Sequence, residues 1–172
     1  MKDGHGNTTI VRGAMLLATA VIVQEIRLFL PLPPLLSIFV VGTLVNAVLV
    51  VAARFTGLLA AALISFLLPV IALLQGHLAV PLLIPVIFCG NLALVAVCSR
   101  LRGKNALLLA PFCKTVLLYG ATYGLLEWLA LPKKIAAAVL FTMGWPQLIT
   151  AFCGIMLAEL LLGRLSEVKQ AK

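Results

Sequence analysis

Polar positions along most of this chain are too sparse to set a helical or strand period. Apolar runs of Leu, Ala, Val and Ile are separated by short clusters of Pro, Gly, Arg and Lys. A run of about 20 such residues is what a helix needs to cross the hydrocarbon core of a bilayer. The pattern predicts an all-α integral membrane protein, a bundle of six transmembrane helices in one domain over residues 1–172, with spans at about 12–30, 35–53, 57–74, 78–97, 106–129 and 135–162. The breaks between them are chemically readable. Pro31, Pro33 and Pro34 stop the first span, because proline cannot extend the helical ladder. Arg54 marks the second turn, Gln75, Gly76 and His77 the third, the basic stretch SRLRGKN at 99–105 the fourth, and Pro132, Lys133 and Lys134 the fifth. Residues 1–11 are polar, lack the small-residue cleavage site of a signal peptide and are read as a short tail; the stretch 164–172 is charged.

Composition supports the same class. Hydrophobic residues make up 63% of the chain and charged residues 10%, against about a quarter charged in a soluble domain. The net charge of +8 is mainly a topology signal. Lys2, Arg12, Arg54, Arg100, Arg102, Lys104, Arg164, Lys169 and Lys172 fall on one side of the expected membrane, whereas the other side has Arg27, Lys133 and Lys134. Cytoplasmic loops retain excess positive charge, so both termini are expected in the cytoplasm. No nucleic-acid partner is expected.

The fifth span carries the strongest chemical signal. Its sequence, ALLLAPFCKTVLLYGATYGLLEWL, places Lys114 among apolar residues, where a lysine costs roughly 2.5 to 3.5 kcal/mol and normally faces a bundle interior or a wet cavity. Asn46, Asn91 and Lys114 each lie roughly 10 to 14 Å in from the cytoplasmic ends of their spans at 1.5 Å per residue, which puts them at one level. Glu25 and Gln147 lie nearer the midplane, within reach of a long lysine side chain. Two roles stand side by side for this polar set: contacts to a bound small molecule, or hydrogen-bonded staples between helices. Tyr119, Tyr123 and Glu127 form an i, i+4 row that suits either a pocket for a flat ligand or ordinary packing. Trp128 reads as interfacial belt. Pro146, between Trp145 and Gln147, frees a backbone carbonyl in the sixth span. Glu159 is expected to contact Arg164 or a partner subunit. Cys89, Cys98, Cys113 and Cys153 read as small hydrophobes, and His5 and His77 as solvated residues, so no metal site, disulfide framework or cofactor is expected.

Four stretches together resemble a known family. They are the first-span GAMLLATA, with Ala14 and Ala18 one turn apart; the run GTLVNAVLVVAARFTGLLAAALISFLLPVIALLQG; IPVIFCGNLALVAV; and WPQLITAFCGIMLAELLLG. The chain resembles the substrate-binding S components of energy-coupling factor (ECF) transporters, the ABC-type vitamin and micronutrient importers of prokaryotic cell membranes. The resemblance implies capture of a small molecule from outside and delivery through a transmembrane coupling subunit and two ATPase subunits. Carried over by position, Ala14 and Ala18 would be the docking pair and Lys114, Tyr119, Tyr123 and Gln147 pocket residues, with Asn46, Asn91 and Glu25 as further candidates from depth. Members often carry a substantial first loop as a lid, where this chain has the short proline-rich stretch 31–34. The chain has no GxxxxGK[ST] phosphate loop and no evident acid/base or nucleophile arrangement, so no enzymatic activity is expected. The rival reading is a small scaffolding protein of cell-envelope assembly, similar to rod-shape-determining membrane subunits, in which the same polar residues would only staple helices.

Overall fold

The computed structural model describes residues 3–29, 32–78, 80–129 and 131–170, and the regular structure among them is entirely α-helical. Seven helices follow in order: α1 (Asp3–Phe29), α2 (Pro34–Phe55), α3 (Leu58–Leu74), α4 (Leu83–Arg100), α5 (Gly103–Leu129), α6 (Lys133–Met143) and α7 (Trp145–Gln170). Stretches within α1, α2, α4 and α5, and the α6–α7 pair taken together, give five segments long and apolar enough to cross a membrane; α3, at 17 residues, is a shorter apolar helix. The result is a helical bundle of the multi-pass membrane type.

The expected span boundaries shift at several points, each with a local cause. Helix α1 starts at Asp3, so the polar stretch read as a tail is largely helical. Helix α4 begins at Leu83, because Pro81 closes a turn ahead of it, with Leu83 and Ile84 donating to Val80 and Pro81. The expected span 135–162 is two helices broken at Gly144. Pro146 supplies no N–H for the carbonyl four residues back, that of Thr142, and the ladder does not run through.

Helix ends follow familiar chemistry. Pro34 occupies the first position of α2, where its missing N–H costs nothing. At the end of α3, Gly76 adopts φ 74°, while Gly76 N donates to Leu73 O at 3.0 Å and His77 N to Ala72 O at 2.8 Å. That pair of bonds is a Schellman ending, in which a left-handed glycine reverses the chain. It delivers His77 to the edge of the bundle interior.

The core is built from α2, α3, α4, α5 and α7 with Ala20 of α1, and it combines bulky Leu49, Leu68, Leu94 and Ile155 with many alanines, among them Ala47, Ala110, Ala151 and Ala158. Lipid gives apolar side chains little reason to leave it, so membrane helices associate through close packing and hydrogen bonds, and small residues make that approach possible. The most extensive contact is between α2 and α7. At its tightest point a Cβ on Gly154 would lie 2.6 Å from Asn46 Cβ, 2.9 Å from Thr43 O and 3.0 Å from Ala47 N. Helix α6, by contrast, buries none of its residues and packs on α5 and α7.

Gly154→Ala is therefore expected to lower stability by about 1 to 3 kcal/mol, since rigid backbone cannot move aside for the new methyl. Gly163→Ala, with open space around its Cβ, is expected to be neutral or stabilising by up to about 1 kcal/mol. Thermal unfolding of both variants in detergent micelles checks the contrast, and equal transition temperatures would contradict the account of the α2–α7 seam.

Candidate functional site

Lys114 is 3% exposed, inside the bundle rather than at its lipid-facing surface. Its Nζ donates to Asn46 Oδ1 at 2.6 Å and to Asn91 Oδ1 at 2.8 Å. Asn46 Nδ2 in turn donates to Thr150 Oγ1 at 3.3 Å, and Thr150 Oγ1 donates to Gln147 O at 3.2 Å. The network links α5, α4, α2 and α7. Two carboxamide oxygens replace part of the water shell of an ammonium, and their partial negative charge stabilises the cation without neutralising it. Lys114 meets the two asparagines at equal depth and reaches neither Glu25 nor Gln147 with a hydrogen bond among the described residues.

This network borders a cavity of about 370 Å³, within the roughly 300 to 1,000 Å³ typical of small-molecule sites. Every helix contributes to its wall: Gln24 and Arg27 from α1, Val41, Val45 and Asn46 from α2, Leu68 from α3, Ile87 and Asn91 from α4, Lys114 from α5, Thr142 and Met143 from α6 and Gln147 from α7, with His77 and Leu78 from the α3–α4 turn. The walls are mostly apolar, with a few polar groups between them. Gln24 Nε2 makes a long bond of 3.5 Å to Leu68 O, leaving Gln24 Oε1, Arg27 Nε and His77 Nδ1 buried without a hydrogen-bond partner among the described residues.

Gln147 owes its position to the break before it. Its Nε2 donates at 3.2 Å to Thr142 O, the carbonyl that Pro146 leaves without a ladder donor. The side chain thus repairs the backbone and borders the cavity in one conformation. Glu25 does not line the cavity, but its charge acts on both Arg27 and His77. His77, expected to be solvated, is half-buried at the cavity wall. Burial first, and the Arg27 charge second, hold its imidazole below the ordinary pKa, with Glu25 opposing.

Tyr119 and Tyr123 lie elsewhere. Both are about half exposed on the outer surface of α5 and neither lines the cavity. Tyr123 Oη donates to Glu127 Oε1 at 2.7 Å, and Tyr119 packs beside Gly144 at the α6–α7 break. Ala14 and Ala18 are exposed on α1. Ala14 lines an apolar groove between α1 and α3 together with Gly13, Leu17, Ala60 and Leu63, and Ala18 lies outside it. Glu159 pairs at 2.9 Å with Arg54, not with Arg164, which instead approaches Glu167 at 3.5 Å. The close α2–α7 packing brings Arg54 and Glu159 together across 105 residues of sequence. Gln24, His77, Thr142 and Thr150 are the site residues that sequence reasoning did not select. Only the proline-freed carbonyl at Thr142 left a trace in the sequence.

No protein-family model, curated protein or solved structure matches this chain. The arrangement can donate hydrogen bonds from a buried lysine and its neighbours into a partly open, mostly apolar space.

If Asn46 acts chiefly as an acceptor for Lys114, then Asn46→Ala and Lys114→Met are not independent. A double-mutant cycle followed by thermal unfolding in micelles is expected to give a coupling energy of about 0.6 to 2 kcal/mol, with the double variant losing less than the sum of the singles. Additive losses would show that the 2.6 Å bond contributes nothing net.

Proposed function

We propose that this chain is the membrane-embedded substrate-capture subunit (S component) of an ECF-type importer, binding a vitamin or related nutrient from outside and passing it on with ATP-driven partners. The observation that carries this reading is the cavity of about 370 Å³ built by all seven helices, with the buried ammonium of Lys114 on its wall. A scaffold has no need of a cavity of this size with a buried lysine beside it. An uptake subunit needs one, because a nutrient must leave water for a site that replaces its hydration. Counting α3 as a short span and α6–α7 as one broken span gives six crossings with both termini on the cytoplasmic side of a prokaryotic cell membrane, in keeping with the distribution of arginine and lysine. Asn46, Asn91, Lys114 and Gln147 are then ligand-facing residues, and Ala14 and Ala18 form part of the surface for the transmembrane coupling subunit. ATP hydrolysis belongs to the two ATPase subunits of the assembly.

The scaffold reading draws on a different observation. Two of the three Lys114 protons are already satisfied by Asn46 and Asn91, so the residue joins three helices without any ligand. Under that reading the cavity would hold only water.

Native mass spectrometry of the protein purified from its host in mild detergent separates the two. A stoichiometric small molecule and co-purifying ATPase subunits are expected. An empty protein bound to envelope-assembly machinery would overturn the importer reading. In the same preparation, Ala14→Trp is expected to reduce recovery of the coupling subunit at least tenfold while leaving the small molecule in place; undiminished recovery would remove Ala14 from the docking surface.

A further inference from the structure

The chemical class of the captured molecule follows from an inventory of charge, resting on the proposal that the cavity is a binding site. The sequence contains five acidic residues. Glu159 holds Arg54 at 2.9 Å, and Glu167 lies 3.5 Å from Arg164. Glu127 accepts the hydroxyl of Tyr123 on the outer surface of α5. Glu25 sits where its charge acts on Arg27 and His77. Asp3 begins α1, about 30 Å of helix away from Gln24 at 1.5 Å per residue. None is left for Lys114.

Among the described residues neither wall cation is ion-paired: Arg27 has Glu25 two residues along its own helix, whereas the carboxylates are all committed elsewhere or distant from Lys114. Its hydrogen bonding is incomplete as well. An ammonium has three donors, and two go to Asn46 and Asn91. Asn91 gives its oxygen to Lys114, and its Nδ2 has no acceptor among the described residues. Two adjacent donors, one of them charged, thus lie unfilled on a cavity whose other walls are largely aliphatic. A group with two oxygens and one negative charge satisfies both donors and neutralises the ammonium. A dianionic phosphate would leave one charge uncompensated in a low-dielectric space, which is costly.

We propose that the cavity takes a small monocarboxylate, with its carboxylate seated on Lys114 Nζ and Asn91 Nδ2 and its apolar body against Val41, Val45 and Ile87. The bound anion supplies the counter-charge that the protein itself withholds.

The test uses the full chain in lipid nanodiscs and probes matched in the chain that carries the acid group: 3-phenylpropanoate, 5-phenylpentanoate and 7-phenylheptanoate, the carboxamide of each, and 2-phenylethylphosphonate. Binding is read by native mass spectrometry, with empty nanodiscs as background. For at least one pair the acid is expected to bind at least tenfold more tightly than its amide, and the phosphonate more weakly than 3-phenylpropanoate. The acid preference is expected to fall below threefold in Lys114→Gln and in Asn91→Leu, either of which suffices if the other does not fold, and to persist in Arg27→Gln. Equal binding of acid and amide, tighter binding of the phosphonate, or a preference lost with Arg27→Gln and kept without Lys114 would overturn the carboxylate assignment while leaving the cavity a small-molecule site. Binding of none of the seven probes, together with an empty protein from its host, would overturn the capture-subunit reading and this inference with it.

Discussion

An ammonium buried in a membrane bundle must be solvated by the protein, and that demand organises the centre of this molecule. Lys114 is met by Asn46 and Asn91, which requires α2, α4 and α5 to present polar groups at the same depth and in the same direction. Asn46 then leans on Thr150, and Thr150 on the backbone of α7. Water would do this work in a soluble protein. Within a bilayer an unmade hydrogen bond has no such substitute, so the positions of four helices become coupled to one side chain.

The close packing that permits this network comes from small residues. The glycine at 154 allows α7 to rest against the backbone of α2 at the level of Asn46. Alanines at 47, 110, 151 and 158 keep the neighbouring seams tight. Above this packed region the helices separate enough to leave the cavity, and its walls draw on each of the seven described helices. Tight packing and open space are thus complementary: the first holds the polar groups at fixed separations, and the second gives them something to face. The break between α6 and α7 belongs to the same design. Gln147 covers the carbonyl that Pro146 exposes, so an irregular backbone is tolerated where it borders a cavity instead of lipid.

Much of this was legible in the residues alone. Apolar run lengths define a helical membrane protein, and prolines and basic clusters mark where most helices end. The equal depth of Asn46, Asn91 and Lys114 follows from counting residues, because rise along a helix is constant. Direction around the helix axis is a different matter. In a soluble protein the apolar stripe reveals which face turns inward; here both faces of most helices are apolar, and the pattern carries almost no azimuthal information. That is why Tyr119 and Tyr123, plausible pocket residues by spacing, lie on the outer surface, and why Gln24 and His77 turn out to border the cavity.

What the sequence determined by itself is therefore the class of solvent, the helical class, the approximate ends of the helices and the depth of each polar group. Tertiary structure alone decided which groups share a wall and that Glu159 answers Arg54 across the α2–α7 seam. Position along an axis is a property of one helix. Orientation about that axis is set by neighbours, through close-packed glycine and alanine contacts and a buried charge that only several helices together can satisfy.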